Sequence, residues 1–498
     1  MKRLQARLGE ISDLEQVLSL LHWDQNTMMP AGGGRARAAQ LATLARVRHE
    51  RLTAAETGEL IAAAEAELGE LAEDGVERRT VAEARRLYDK EARIPAELAE
   101  QMARAASEGY QLWVGARAEN DFRAYAPALE RNIELAREYA GCFDGYADPY
   151  DVLLDDYAPG MTSVQVGALF ADLRGELVPL IDTLAGRELD TAVLSARYPE
   201  AGQRALVAKV LSWQGFEGRA WRLDDTVHPF ATGISVADVR LTTRYEPDYF
   251  PTALYGAMHE CGHGLYHAGI APGLERTPLG AIRSYAFNES QSRLWENLVG
   301  RSLSFCRALA PELERCSQGS LAGLDPMALF RAVNAVRRSL IRIEADETTY
   351  GLHVILRYEL ERLLLHGELA VAQLPEAWNL RMREYLGVEV PRDADGVMQD
   401  VHWSAGSIGY FPSYAIGNLI AAQLWERIRA DLPELDEQLA RHELVPLRDW
   451  LREHIYRHGS RLRDDELLAR ITGEQLSVAP FMRYLRAKLS DVYQLDLA

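Results

Sequence analysis

The stretch "YGAMHECGHGLYHAG", residues 255–269, places His259, His263 and His267 four residues apart. Pro251, well suited to a first helical position, and Gly269, well suited to a terminating one, predict a helix over residues 251–268. Two histidines four residues apart project from one face of a helix, where both imidazoles can bind the same metal ion. The stretch therefore predicts a helix that carries half of a metal site.

Residues 259–263 form an H-E-x-x-H arrangement, in which two histidines bind zinc and the glutamate takes a proton from the activated water. His259 and His263 are the predicted ligands, and Glu260 is the predicted general base. His267 lies about 12 Å along the helix axis from His259, too far away to share the ion. We therefore interpret His267 as a bystander.

The third metal ligand has to come from outside this helix. A metzincin would have glycine and histidine at the positions that Tyr266 and Gly269 occupy, so that subclass is excluded. Glu275 follows in a loop rich in proline and glycine, whereas Glu289 and Glu296 lie in a second predicted helix that can pack across the first. Glu289 is the preferred ligand, and a His, His, Glu set leaves one position open for water, as in catalytic zinc sites.

Helical periodicity dominates the rest of the chain. A Ser12/Glu15 capping box followed by an apolar stripe predicts a helix start near Ser12, and Gly367 closes a later leucine stripe. The exception is "HPFATGISVADVRLTTRYEPDYF", residues 228–250, which predicts a short β-hairpin with Gly233 in its turn. We predict a mainly α protein with one domain over residues 1–498, its zinc-site core at about 225–415 and a small hairpin beside the histidine helix.

Composition limits the partners. The net charge of −19 over 498 residues disfavours nucleic acid and anionic membranes, since both would repel the chain. Four cysteines without C-x-x-C spacing suggest neither a disulfide framework nor a zinc knuckle, which fits the reducing cytoplasm. Neither a signal peptide nor an apolar run of about 18 residues is found, so no membrane span is expected.

Several motifs together resemble the carboxypeptidase Taq family of metallocarboxypeptidases. The similarity extends from "WDQNTMMP" near Trp23 to "GYFPSYAIGNL" after Gly409, so it covers nearly the whole chain. Five family motifs are intact and in order: His228-Pro229-Phe230, Asp238-Val239-Arg240-Leu241-Thr242, His259 to His263, Ile341-Arg342-Ile343-Glu344-Ala345-Asp346, and Gly396-Val397-Met398-Gln399-Asp400-Val401-His402-Trp403.

A sixth motif departs from the family pattern, because Asn288 replaces the usual histidine before Glu289-Ser290-Gln291. The family's ligand glutamate is retained at Glu289. The resemblance implies a helical single-domain enzyme that has a deep substrate cleft and forms a homodimer. It also implies that the enzyme removes C-terminal residues, with broad specificity, from peptides with a free C-terminus. It implies one Zn²⁺ per chain, and Co²⁺ or Mn²⁺ are acceptable to the same ligands.

The matched motifs also supply candidates for the remaining roles. Tyr410, His402 and Tyr414 are candidate donors to the oxyanion that forms during hydrolysis. A carboxypeptidase needs a cation for the terminal carboxylate, and arginine provides paired donors, so Arg342 is the preferred residue. His228 is a further candidate for substrate contact.

Alternatives remain for several of these residues. Arg342 could instead pair with Asp346, its i+4 neighbour. The other arginines considered for the carboxylate are Arg240, Arg244 and Arg293, with Arg240 also a candidate substrate contact. The predicted acceptors of the outer N–H groups of the zinc histidines are Asp238, Asp346 and Asp400, among which the sequence does not choose.

Two other functions compete with carboxypeptidase activity. An oligopeptidase that cuts internal bonds would use the same zinc geometry. A helical scaffold that binds metal or peptide without catalysis is the second alternative, although retention of Glu260 argues against it because a structural site needs no base.

Overall fold

The computed structural model describes residues 1–69, 72 and 74–497. Helices dominate it, as the sequence predicted. The helices of the first half are α1 Lys2–Thr27, α2 Gly34–Thr53, α3 Ala55–Glu67, α4 Val76–Arg93, α5 Ala96–Glu119, α6 Phe122–Ala140, α7 Pro149–Leu154, α8 Ser163–Leu184, α9 Glu200–Gln214 and α10 Phe250–Gly269. The helices of the second half are α11 Tyr285–Arg293, α12 Leu303–Cys316, α13 Pro326–Val333, α14 Glu347–His366, α15 Leu374–Arg381, α16 Pro412–Asp431, α17 Leu435–Ala440, α18 Val445–His454, α19 Asp464–Thr472 and α20 Ala479–Tyr493.

The first helix corrects one sequence prediction. α1 begins at Lys2 and continues through Ser12, so the capping box does not start a helix. Leu4, Leu8 and Ile11 extend the apolar stripe ahead of Ser12 and are buried, which is why the helix starts earlier. Within the described residues, α1, α3 and α4 enclose a small hydrophobic core that is separate from the main one.

A three-stranded sheet precedes α10. Its strands are β1 Trp221–Asp225, β2 Ala231–Ser235 and β3 Asp238–Thr243, with β3 in the centre, parallel to β1 and antiparallel to β2. The predicted hairpin is β2–β3, but its turn lies at residues 236–237 and the prediction of Gly233 in the turn is wrong. Gly233 lies inside β2, where a Cβ atom would be 2.5 Å from His267 Nδ1. The glycine therefore makes room for the third histidine of α10.

α10 is held between the sheet and α11 by two glycines on different faces. A Cβ atom on Gly264 would lie 2.7 Å from the Trp221 ring and 2.9 Å from Leu241. A Cβ atom on Gly262 would lie 2.7 Å from the backbone oxygen of Gln291 in α11. All three distances are too short for a real Cβ atom. Because glycine has no side chain, the sheet and α11 can each approach the backbone of α10.

The four N-terminal helices join the rest of the chain through polar and stacking contacts. Trp23 of α1 is buried against the guanidinium groups of Arg222 and Arg240, whose central carbons lie 4.5 Å and 4.3 Å from the centre of its ring. Lys90 of α4 forms an ion pair with Asp155 at 3.1 Å. None of the helices in the described residues is both long enough and apolar enough to cross a membrane.

Candidate metal centre and active site

His259 and His263 of α10 meet Glu289 of α11 in one cluster of metal-binding groups. Glu289 Oε2 lies 3.7 Å from His259 Nε2 and 3.6 Å from His263 Nε2, and the three donor atoms all lie within 4.8 Å of one another. Four ligands about 2 Å from a tetrahedral zinc ion lie about 3.3 Å apart, so these side chains fit a zinc-sized cation with small adjustments. His267 and Glu275 lie outside this cluster.

A third helix fixes the position of Glu289. Gly417 of α16 lies so close to α11 that a Cβ atom on it would be 2.8 Å from both Cβ and Cγ of Glu289. Gly262 brings α10 to the other side of α11 at Gln291. Two close glycine contacts thus press α11 between α10 and α16, and this packing carries the Glu289 carboxylate to the two imidazoles.

The outer nitrogens of the two histidines have different partners. His259 Nδ1 lies 2.9 Å from Glu296 Oε2, and His263 Nδ1 lies 3.0 Å from Asn288 Oδ1. Glu296 lies on a π-helical continuation of α11, Leu294–Val299, a feature common at functional sites.

The sequence proposed other acceptors for these nitrogens, and that proposal is wrong. Asp238 binds Arg240, and Asp400 binds Arg342 and Arg357. Asp346 caps α14 by accepting from Thr348 N and Thr349 N.

Charges around the cluster are compensated by arginine. Arg293 Nε donates to Glu289 Oε1 at 2.6 Å and its Nη1 donates to Glu296 Oε2 at 3.1 Å. Burial pushes the pKa of Glu289 upward, but Arg293 and the two histidines outweigh burial and lower it. The carboxylate is therefore ionised near neutral pH, the form that binds a metal.

Glu260 lies beside the ligands but is not bound by an arginine. It is 7% exposed, and burial raises its pKa to about 7, with the His259 ring opposing the shift. A carboxyl group with a pKa near neutrality can accept a proton and return it at the same pH, as a general base and acid must. Its neighbours His259 and His263 retain 18% and 16% side-chain exposure, so solvent reaches the cluster.

Arg342 is buried in an arginine–aspartate–arginine group. Its Nε and Nη2 donate to Asp400 Oδ1 at 3.0 Å and 2.8 Å, while Arg357 Nε donates to Asp400 Oδ2 at 2.7 Å. The alternative of an Arg342–Asp346 pair is therefore wrong. Two guanidinium charges face one carboxylate, which leaves the group one positive charge in excess.

Tyr350 connects Arg342 to the metal ligands. Arg342 Nη1 donates to the Tyr350 hydroxyl at 2.9 Å, and Arg293, the partner of Glu289, lies over the Tyr350 ring at 4.5 Å. Arg342 also lies 5.0 Å from the centre of the Tyr414 ring. Tyr350 and Arg357 were not predicted, because both lie in α14, outside the matched motifs.

Tyr410, Tyr414 and His402 form one aromatic group. The Tyr410 ring centre lies 5.2 Å from those of both Tyr414 and His402. Burial raises the pKa of both tyrosines above the usual range, so their hydroxyl groups stay protonated and can donate hydrogen bonds. Burial lowers the pKa of His402 to about 4, so this ring is neutral.

The segment that carries His402 and Tyr410 is anchored by a buried carboxylate. Glu361 of α14 accepts from Trp403 Nε1 at 2.7 Å, from Gly409 N at 3.1 Å and from the Tyr150 hydroxyl at 2.7 Å. Trp403 and Gly409 lie near the two ends of the segment, so one side chain fixes both ends.

His228 and Arg240 lie apart from this group. His228 is exposed in the connection between β1 and β2. Arg240 Nε donates to Asp238 at 2.9 Å, and its guanidinium stacks on Trp23. Val239 and Leu241, its neighbours in β3, face Gly264 of α10, so alternation along the strand turns Arg240 away from the metal helix.

Replacing Gly417 with alanine is expected to weaken metal binding by about tenfold or more, because the added methyl group must displace Glu289. The dissociation constant for Zn²⁺ is measured by competition with a chromophoric chelator. Gly175→Ala in α8 is the matched control, since a Cβ atom there meets nothing within 4 Å. Equal zinc affinity in Gly417→Ala and the control would contradict this account of the site.

We also expect acid to destabilise the folded protein through His353, a buried residue of α14. Burial, with Arg357 adding to it, holds the pKa of His353 well below 6.5, so the unfolded chain binds this proton first. The stability contribution is therefore complete above about pH 6.5 and is lost as the pH falls, by up to about 1.4 kcal/mol per pH unit. Denaturant unfolding at pH 7 and pH 5 should show a smaller loss in His353→Leu than in the parent; equal losses would refute the assignment.

Comparison with known proteins shows the family to which the chain belongs. The family model described as carboxypeptidase Taq (M32) metallopeptidase matches residues 3–489. "Thermostable carboxypeptidase 1" of Thermus thermophilus is 42% identical over 97% of each chain, and "Carboxypeptidase 1" of Bacillus subtilis is 36% identical over 98% of this chain and 97% of its own. The crystal structure of an M32 carboxypeptidase from Deinococcus radiodurans has a TM-score of 0.96 at 41% identity, with 99% of both chains covered. The chain therefore belongs to the carboxypeptidase Taq (M32) family of metallopeptidases, and it is a metallocarboxypeptidase.

Proposed function

We propose that this protein removes C-terminal residues from peptides with a single zinc ion held by His259, His263 and Glu289. The observation that carries the proposal is the meeting of these three donors within 4.8 Å, beside a buried glutamate whose pKa is about 7. When bound, zinc acts as a Lewis acid and lowers the pKa of a water ligand to about 7. The ligand set also accepts Co²⁺ or Mn²⁺.

Glu260 moves the proton in this proposal. Its carboxylate accepts a proton from the attacking water and then donates it to the leaving amine, so the same group serves as base and acid. Glu260 follows His259 directly and therefore lies about 100° around α10 from it, off the ligand face, which keeps its oxygens free for this task.

Tyr410 is the proposed donor to the developing oxyanion, with His402 and Tyr414 as its neighbours. A protonated hydroxyl held in a fixed position stabilises developing negative charge, since it needs no reorientation during the reaction. Burial keeps both tyrosines protonated, and Glu361 holds the segment that carries Tyr410.

Arg342 is the proposed partner of the substrate's terminal carboxylate. Three of its five N–H groups are used by Asp400 and Tyr350, which leaves two for a ligand. The excess positive charge shared by Arg342, Arg357 and Asp400 favours an anion at this position. A deep cleft that brings the peptide end to Arg342 is part of the proposal.

Further parts of the proposal concern recognition and assembly. β2 is an edge strand next to α10 and is available to pair with an extended peptide, with exposed His228 nearby. Arg240 would act indirectly, by holding the sheet against α1. Homodimerisation, a cytoplasmic location and a single domain with its zinc-site core at about 225–415 are also proposed, and light scattering of the purified protein tests the dimer.

The first test compares a free-acid peptide with its C-terminal amide by mass spectrometry over time, using the zinc-loaded enzyme. Stepwise shortening of the free acid alone is expected, and Glu260→Gln should lower its rate by about 100-fold or more because proton transfer is lost. Internal cuts in both peptides would instead establish an oligopeptidase. Silence from the zinc-loaded parent on both peptides would favour a binding scaffold.

The second test removes the proposed carboxylate partner. Arg342→Gln should lower kcat/KM for the free acid by about 10–100-fold, the worth of a charge-assisted pair, and should reduce the preference for the free acid over the amide. Arg357→Lys is the matched control, because Arg357 binds the same Asp400 but is fully buried. A preference that falls equally in both variants would show that Arg342 acts only through the packing of the group.

A further inference from the structure

We infer that Asn288 is a positioning residue for the metal: its carboxamide fixes the orientation and tautomer of His263 and makes His263 a weaker metal ligand than His259. The inference rests on the proposed function, because it concerns the same metal site. It goes beyond that proposal by giving a role to Asn288, which the proposed mechanism does not use.

The geometry requires a particular protonation of His263. Asn288 Oδ1 lies 3.0 Å from His263 Nδ1, and an amide oxygen can only accept a hydrogen bond. The proton of the neutral imidazole is therefore on Nδ1. The lone pair is then on Nε2, which lies 3.6 Å from Glu289 Oε2 in the metal-binding cluster, so the ring is prepared to bind a cation before one arrives.

His259 is supported by a charged group instead. Its Nδ1 lies 2.9 Å from a carboxylate oxygen of Glu296, which is itself bound by Arg293 and by Arg301, each at 3.1 Å. A carboxylate acceptor transfers more electron density to an imidazole than a neutral amide does, because hydrogen bonds to ions are roughly twice as strong as neutral ones. The two histidines of the H-E-x-x-H motif therefore differ as metal donors.

The first turn of α11 holds Asn288 in place. The Ser284 hydroxyl caps this helix by accepting a hydrogen bond from Phe287 N at 2.9 Å. The backbone N–H of Asn288 donates to the backbone carbonyl oxygen of Ser284 at 3.0 Å. Glu289 follows Asn288 directly in the chain. The capped first turn of α11 thus supplies both the metal ligand Glu289 and Asn288, which orients the ligand His263. The same turn therefore fixes the positions of both side chains.

The test measures the Zn²⁺ dissociation constant of purified apo protein by chelator competition. Asn288→Leu, which has a similar volume but no acceptor, should raise it about 10–100-fold, and Asn288→Asp, which supplies a carboxylate, should lower it by up to about tenfold. Glu296→Gln is the reciprocal variant, since it gives His259 the amide partner that His263 now has. It should raise the Zn²⁺ dissociation constant. Asn288→Ala replaces the leucine variant if that variant does not fold.

The visible absorption of the Co²⁺-loaded proteins provides a second readout, because its intensity reports the coordination of the ion. Altered absorption in Asn288→Leu, with an unchanged apo unfolding temperature, would support orientation of His263 by Asn288. Equal zinc affinities and equal Co²⁺ absorption in the parent, leucine and aspartate proteins would overturn the inference. Failure of the parent itself to bind Zn²⁺ would overturn the proposed function instead.

Discussion

The close packing of α11 between α10 and α16 is the constraint on which the site depends. At Gly262 and at Gly417 a single added carbon atom would collide with α11, so no other residue type allows these helices to approach as they do. A shift of α11 by the width of a methyl group would move the Glu289 carboxylate out of range of the imidazoles. The third glycine contact, between Gly264 and the sheet, fixes α10 from its opposite side. Backbone proximity rather than side-chain contact therefore determines where the metal ligands meet.

Charge is distributed around this packing in two connected groups. Near the ligands, Arg293 binds both Glu289 and Glu296, and Arg301 also binds Glu296; farther along, Asp400 is shared by Arg342 and Arg357. The first group presents the Glu289 carboxylate and two imidazoles to a divalent cation, and the second retains an excess of positive charge suited to a carboxylate. Burial makes both groups costly unless every charge has a partner, which explains why most donors and acceptors are satisfied within each group. Tyr350 lies between them and keeps them in one site.

The surrounding protein holds the reactive groups still. Glu361 fixes the segment from His402 to Tyr410 through two hydrogen bonds, and the capped first turn of α11 fixes Asn288 and Glu289. The different hydrogen-bond partners of His259 and His263 arise from the same arrangement. His259 Nδ1 contacts the π-helical continuation of α11, whereas His263 Nδ1 contacts the first turn of α11. A binding site that is organised before its metal or substrate arrives loses less conformational entropy on binding.

The sequence by itself determined the features that depend on spacing within one helix. The His259–His263 pair, the position of Glu260 and the helical character of the chain all follow from a local period, which no distant contact has to supply. The turn at Gly233 and the choice of Asp400 as an acceptor were predicted wrongly because each depended on a neighbour distant in the chain: His267 for Gly233, and Arg342 and Arg357 for Asp400. The helix start at Ser12 and the choice of Asp238 were wrong for local reasons, since the apolar stripe of α1 begins earlier, at Leu4, and Asp238 binds Arg240 two residues away. Only the tertiary structure decided that Asn288 and Glu296 support the histidines and that Asp400, not Asp346, binds Arg342. The physical reason is that hydrogen-bond partners are chosen by distance in space, and that distance is set by how closely three helices pack at two glycines.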